Sequence, residues 1–280
     1  MMLEKNITGV RETVKAWRSE GLSVGLVPTM GYLHEGHKSL IDRAVRENDR
    51  VVVSVFVNPM QFGPAEDLET YPRDIEADCR LCRAAGADVV FHPEVSEMYP
   101  KNFTSFVDTT GVTEELCGKS RPVHFRGVCT VVSKLFHIVT PDRAYFGQKD
   151  AQQLAVIRRM VRDLNINVEV VGCPIIREAD GLAKSSRNTY LSAEERQAAL
   201  VLSRAVNAGK ELIARGETDG DAVLQKMKAL IEAEPLAKID YVEMVRRDTM
   251  EIHRTVDEPV LVALAVYIGK TRLIDNFIWE

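Results

Sequence analysis

Over the first 175 residues, short β-branched apolar runs alternate with amphipathic stretches, and few folds accept that rhythm. Strand-like runs stand at 22–28 (LSVGLVP), 50–57 (RVVVSVFV), 88–91 (DVVF), 143–147 (RAYFG) and 168–172 (VEVVG). Between them, apolar residues recur at helical spacing: Val10, Val14 and Trp17; then Leu40, Ile41, Ala44 and Val45. Further helical stretches are RDIEADCRLCRAAG, GVCTVVSKLFHIV and DAQQLAVIRRMVRDL. Strands that are apolar on both faces and alternate with helices predict an α/β fold with a doubly wound parallel sheet. Ligands of such sheets bind beyond the carboxyl ends of the strands.

After residue 175 the rhythm changes. SAEERQAALVLSRAVNAGKELIARG reads as one long helix, opened by Ser192 and Glu195 as a capping box. DAVLQKMKALIEAE is a second helix. IDYVEMV, PVLVALAVYIG and TRLIDNFIW read as strands, the last two joined by a tight Gly-Lys turn. The expected organisation is a domain at 1–175 and a smaller α+β C-terminal domain at 176–280, with a cleft between them. No Pro/Gly/Ser-rich linker separates them.

A net charge of −5 argues against a general nucleic-acid surface. Five scattered cysteines, an odd number, read as free thiols of a reducing compartment. The opening stretch lacks the apolar segment of a signal peptide, and no run approaches a membrane span. A cytoplasmic protein is expected.

Four stretches carry candidate chemistry. In PTMGYLHEGH, His34 and His37 flank Gly36 where a strand turns into a helix. Helix N-termini attract anions, and two imidazoles there could donate to phosphate oxygens. The local sequence leaves a second reading open, two helix-start histidines facing water. Zinc is disfavoured: the spacing is i, i+3 rather than i, i+4, and Lys38 stands at the metalloprotease position. In FGQKDAQQL, Lys149 could pair with phosphate and Asp150 or Gln153 could hold a hydroxyl, although Asp is common at helix starts anyway. DGLAKSSRN sets Lys184, Ser185, Ser186 and Arg187 in a mobile loop suited to a polyphosphate leaving group, or in a solvated basic loop. FVNPMQFGPAEDLETY offers Asn58, Gln61 and Tyr71 beyond a strand end. Glycine-rich phosphate loops are missing: Thr113 and Leu264 stand where the GKS and GKT segments need a first glycine. Cys79 and Cys82 lie mid-helix with no partner pair and read as structural.

Taken together, PTMGYLHEGH, FVNPMQF, YFGQKDAQQL and DGLAKSSRN, with the closing TRLIDN, resemble the pantoate–β-alanine ligases (pantothenate synthetases) along the whole chain. HEGH is similar to the H-x-G-H signature of a wider nucleotidyltransferase superfamily. KSSRN stands where its relatives carry a KMSKS-type loop, and Gln148 stands where a Glu is frequent. The resemblance implies a Rossmann-like amino-terminal domain, a homodimer, and Mg²⁺-dependent condensation of (R)-pantoate with β-alanine by ATP through a pantoyl adenylate. It implies that Met30, Gly31, Tyr32, Leu33, His34, Glu35, Gly36 and His37 cradle ATP, with His34 and His37 on the phosphates and His37 as proton donor. Gly147 and Asp150 would meet the adenosine ribose, Ile176 would lie against adenine, Gln148 would line the ATP site, and Lys149 would lie on the α- and β-phosphates. Lys184, Ser185, Ser186 and Arg187 would hold pyrophosphate, Gln61 and Gln153 pantoate, with Gln61 also serving β-alanine, and Asp78 would touch the metal. Rival readings are an adenylyltransferase acting on a phosphorylated acceptor, which would need a cation near Gln61, and a non-catalytic nucleotide sensor.

Overall fold

The computed structural model describes residues 1–64 and 66–280. Its elements run β1 (Met2–Glu4), α1 (Ile7–Ser19), β2 (Val24–Thr29), α2 (Glu35–Glu47), β3 (Arg50–Val55), α3 (Ile75–Ala84), β4 (Val89–Phe91) and α4 (Val95–Met98). They continue through α5 (Leu116–Ser120), α6 (His124–Val139), β5 (Arg143–Gly147), α7 (Ala151–Asp163), β6 (Glu169–Cys173), α8 (Ala193–Ala198), α9 (Leu200–Ala214) and α10 (Gly220–Glu232). The chain closes on β7 (Ala237–Arg246), β8 (Val260–Ile268) and β9 (Thr271–Trp279). Single 3₁₀ turns cover Pro59–Gln61, Gln148–Asp150 and Ser186–Tyr190.

Two compact units are present. The first comprises Met1–Thr109, Arg121–Gln148 and Val156–Pro174; the second comprises Thr110–Ser120, Lys149–Ala155 and Ile175–Glu280. The sequence predicts one cut after residue 175; the second unit also takes in 110–120 and 149–155. Gln152 supplies the physical link. Its Oε1 accepts from the Cys117 amide at 2.9 Å, and its Nε2 donates to the carbonyls of Val112 and Glu115 at 3.0 and 2.7 Å.

In the first unit a six-stranded sheet has the order β1-β4-β3-β2-β5-β6, with every pair parallel. The sheet winds outward on both sides of β2, so the switch point lies between β2 and β5, the expected ligand crevice of such folds. The central strands are apolar on both faces: Val24, Leu26, Val27, Val52 and Val53 are fully buried. Ile41 and Ala44 of α2 pack with Val27, Val51, Val53 and Val90 on one face. Strand β1 shows no sequence signal. Three residues are too few for a period, and their pairing with β4 joins positions almost ninety residues apart.

In the second unit β7, β8 and β9 form an antiparallel sheet, and β8 and β9 are joined through Gly269 at φ +57° and Lys270. Helices α9 and α10 pack Leu202, Ala205, Val206, Val223, Leu224 and Met227 against Val260, Val262, Leu264 and Val266. The expected single helix from 193 onward is broken. After Ala199 donates to Glu195, the amide of Leu202 returns to the Ala199 carbonyl at 3.2 Å, a three-residue step that interrupts the four-residue ladder. No Gly or Pro marks that position, so the sequence gives no warning of it.

Candidate active site

The carboxyl end of β2 runs directly into the histidine motif. Thr29 fixes the exit: its Oγ1 donates to the Ser54 carbonyl at 2.7 Å and accepts from the Gly31 amide at 3.2 Å. Gly31 then turns at φ +84°, where a Cβ would sit 2.9 Å from both Asp78 Oδ2 and Val55 Cγ1. Only glycine combines that backbone with that space. Tyr32 follows, also left-handed at φ 51°.

Asp78 of α3 pins this corner. Its Oδ2 accepts from the Tyr32 amide at 2.9 Å and its Oδ1 from the Leu33 amide at 2.7 Å. Burial raises its pKa above the ordinary range, against the opposing pull of the two amides. Asp78, the residue expected to touch a metal ion, is 2% exposed, and each of its oxygens accepts from a backbone amide of the corner.

His34 is the N-cap residue of α2, and the two histidines cap each other's backbone. His34 Nδ1 accepts from the Gly36 amide at 3.1 Å, and His37 Nδ1 accepts from the His34 amide at 3.3 Å. The imidazoles lie with centroids 4.1 Å apart and planes 33° from parallel. An Nδ1 that accepts carries no proton, so both neutral rings are the Nε2–H tautomer. The corner thus holds two closely stacked, tilted rings with Nε2–H donors at the positive end of a thirteen-residue helix.

In the same unit, Gln61 closes the 3₁₀ turn beyond β3. It is nearly buried, and its Nε2 donates to Met30 Sδ at 3.1 Å, which joins this turn to the histidine corner. Asn58, fully buried, orients it: Asn58 Nδ2 donates to Gln61 Oε1 at 3.1 Å and to the Gly127 carbonyl at 3.0 Å. Tyr99 donates to Asn58 Oδ1 at 2.7 Å, and His124 Nδ1 lies 3.0 Å from the Gln61 carbonyl. Tyr99, His124 and Gly127 escape sequence reasoning because nothing local marks them; each lies more than thirty residues from the turn it supports.

Gly147 and Gln148 close one stretch of the first unit, and the remaining expected residues belong to the second. Gly147 ends β5, Gln148, Lys149 and Asp150 form the following 3₁₀ turn, and Gln153 lies in the first turn of α7. Its neighbour Gln152 is the buried structural one, a distinction that sequence spacing does not reveal. The 180s segment is a pinned hairpin: Arg177 pairs with Ala183, and the Lys184 amide donates to the Ile176 carbonyl at 2.9 Å. Glu178 accepts from Asn188 at 2.9 Å and from Arg196 at 2.8 Å. Burial pushes the Glu178 carboxyl up, but Arg196 and Asn188 outweigh it and hold it below the ordinary range. Ser185 caps the next 3₁₀ turn, accepting from the Arg187 amide at 3.3 Å, and Ser186 is buried.

The profile of the pantoate-beta-alanine ligase family matches residues 2–278. The chain belongs to the pantoate-β-alanine ligase family. The pantothenate synthetase of Ruminiclostridium cellulolyticum is 64% identical over 96% of this chain and 95% of its own length. That of Enterococcus faecalis is 60% identical over 100% of this chain and 99% of its own. Among solved structures, a pantothenate synthetase from Thermus thermophilus superimposes with TM-score 0.94 at 46% identity, covering 99% of both chains. The Francisella tularensis pantoate-beta-alanine ligase, complexed with beta-gamma ATP and beta-alanine, gives TM-score 0.81 at 34% identity, covering 99% of this chain and 97% of its own. The ligase-family chain has five free cysteines among its described residues, and burial pushes the Cys82 thiol up to about 12, which suits its structural reading. No helix of the described residues is long and apolar enough to cross a membrane.

Proposed function

We propose that this chain condenses (R)-pantoate with β-alanine at the expense of ATP, giving (R)-pantothenate, AMP and pyrophosphate. The observation that carries the chemistry is the reciprocal cap of His34 and His37, which fixes both Nδ1 atoms on backbone amides and leaves the ring protons on Nε2. The substrates follow from the family and from the ATP and β-alanine named for the Francisella relative.

A pantoate carboxylate oxygen attacks the α-phosphorus, and the bond to the β-phosphate oxygen breaks as pyrophosphate leaves. The amine of β-alanine then attacks the acyl carbon of the adenylate, the acyl C–O bond to AMP breaks as AMP departs, and the amine proton passes to solvent. The first step needs positioning and charge stabilisation more than covalent help from the protein. Nε2–H of His34 and of His37 donates hydrogen bonds to phosphate oxygens as they gain charge, and His37 takes the proton-donor role through that hydrogen bond, keeping its Nε2 proton. The cradle runs through Met30, Gly31, Tyr32, Leu33, Glu35 and Gly36. Lys149 neutralises the α- and β-phosphates; Lys184, Ser185, Ser186 and Arg187 receive pyrophosphate; Gly147 and Asp150 meet the ribose, Ile176 meets the adenine, and Gln148 lines the ATP site. Gln61 and Gln153 hold pantoate, and Gln61 also serves β-alanine.

Magnesium accompanies the triphosphate in this reading. Among the described residues the one group of three His or acid side chains within reach of a single ion is His253, Asp257 and Glu258, on the loop before β8, and Asp78 is held by amides. An Mg²⁺ ion would enter with the triphosphate and supply charge neutralisation there. A homodimer in the reducing cytoplasm completes the proposal, the free cysteines supporting the compartment. The test is pantoate-dependent exchange of labelled pyrophosphate into ATP without β-alanine. Exchange that requires pantoate, stops with EDTA and returns with excess Mg²⁺ is expected; a folded, ATP-binding protein without exchange would refute the free adenylate.

A further inference from the structure

The closing TRLIDN segment has no part in the chemistry above, yet two of its residues reach two of the phosphate-binding stretches. Asp275 of β9 is 1% exposed and takes both terminal guanidinium nitrogens of Arg177, one on Oδ2 at 2.7 Å and the other on Oδ1 at 2.8 Å. The first of these nitrogens also donates to the Gly181 carbonyl at 3.0 Å, so the pair locks the base of the hairpin that leads to Lys184, Ser185, Ser186 and Arg187. The next residue, Asn276, is 4% exposed and donates from Nδ2 to the Lys149 carbonyl at 2.8 Å, while its own amide donates to Asp275 Oδ1 at 2.8 Å.

Successive side chains of a strand point to opposite faces. One dipeptide can therefore hold two segments that the sequence separates by about thirty residues. β9 is a suitable spacer because its backbone is fixed along its whole length by pairing with β8 and its Leu273 and Phe277 are anchored in the core. A bidentate Arg–carboxylate pair fixes orientation as well as distance.

We infer that Asp275 and Asn276 are positioning residues for adenylation, holding the Lys149 turn and the 180s hairpin at a fixed separation that matches the triphosphate. This rests on the assignment of Lys149 to the phosphates. The decisive variant is Asn276→Ala, measured in pyrophosphate exchange and by calorimetric ATP binding. Loss of one well-placed hydrogen bond predicts about a tenfold rise in ATP KM and Kd, with pantoate KM within about twofold of wild type. In a Lys149→Ala background the same substitution should have a clearly smaller effect on ATP Kd, that of Asp150 on the same turn alone. Asp275→Asn, which keeps the shape and removes the charge facing Arg177, should likewise raise ATP KM without moving pantoate KM. Equal changes in both KM values, or an undiminished effect in the Lys149→Ala background, would overturn the inference in favour of a general packing role. Impaired Lys149→Ala with unaffected Asn276→Ala would overturn it alone. Normal ATP affinity in Lys149→Ala would overturn the Lys149 assignment, and the inference with it.

Discussion

Replacing Gly127 with alanine should damage pantoate use from a helix that carries none of the expected site residues. Gly127 lies in α6, where an added Cβ would sit 2.4 Å from the Met60 carbonyl oxygen and 2.5 Å from both the Met60 carbonyl carbon and the Gln61 amide nitrogen. Ordinary contact begins at 3.4 Å, so the turn must withdraw by about 1 Å, the difference between 3.4 and 2.4. The atoms in the way are backbone, which cannot rotate aside as a side-chain end can. Asn58, which donates to the Gly127 carbonyl, must move with them. The stability change has two opposed parts. Alanine gains about 1 kcal/mol of helix propensity, and overpacking costs about 1–3 kcal/mol. The net loss should therefore be at most about 2 kcal/mol and leave a folded protein. The functional effect is larger, because misplacing a binding group by about 1 Å can cost about 100-fold in rate. The assay is pantoate-varied exchange, with Gln61→Ala as the benchmark and ATP binding measured by calorimetry. Gly127→Ala should approach the Gln61→Ala defect in kcat/KM for pantoate while ATP Kd stays near wild type. Unchanged pantoate kinetics, or a loss shared equally with ATP, would refute the argument that α6 positions Gln61.

Two further outcomes follow from the same geometry. His37→Ala removes both the proposed phosphate donor and the acceptor for the His34 amide; kcat should fall far more than pantoate KM rises, with a stability loss of about 1 kcal/mol as for other cap removals, and a defect confined to KM would contradict the donor role. Glu178 has a folded-state pKa below its unfolded value, so its contribution to stability is in place above the ordinary glutamate range and is lost as pH falls through the depressed value. Acid titration of the melting temperature should show this loss below about pH 4, and Glu178→Gln should flatten that limb of the curve; an identical limb in the variant would remove Glu178 from the account.

Much of the first unit could be read directly from local pattern. Runs such as RVVVSVFV and RAYFG become β3 and β5, and the stretch from Ala151 to Asp163 becomes α7, because burial on both faces of a strand or one face of a helix writes its period into the sequence. The site was less evenly legible. His34 and His37 stood out because a strand-to-helix corner and a histidine pair lie within one short segment. Their reciprocal capping could not be foreseen, since it depends on ring orientation and on a left-handed turn at Tyr32. The hold of Asp78 on the Tyr32 and Leu33 amides joins positions more than forty residues apart and leaves no mark in the local sequence. Gln152 and Gln153 look equivalent in sequence, yet only the first is buried among the carbonyls of the 110–120 segment.

By itself the sequence determined the element types, the antiparallel hairpin at Gly269–Lys270, and the four stretches that carry the family's chemistry. Each of these is written over a few adjacent residues. Tertiary structure alone decided the strand order, the short edge strand β1, the break at Ala199, and the supports of the site: Gly127 and Tyr99 beneath Gln61, Asp78 beneath the histidine corner, Asp275 and Asn276 beneath Lys149 and the 180s hairpin. These depend on hydrogen bonds and steric contacts between residues tens of positions apart, and no local period records a contact at that range.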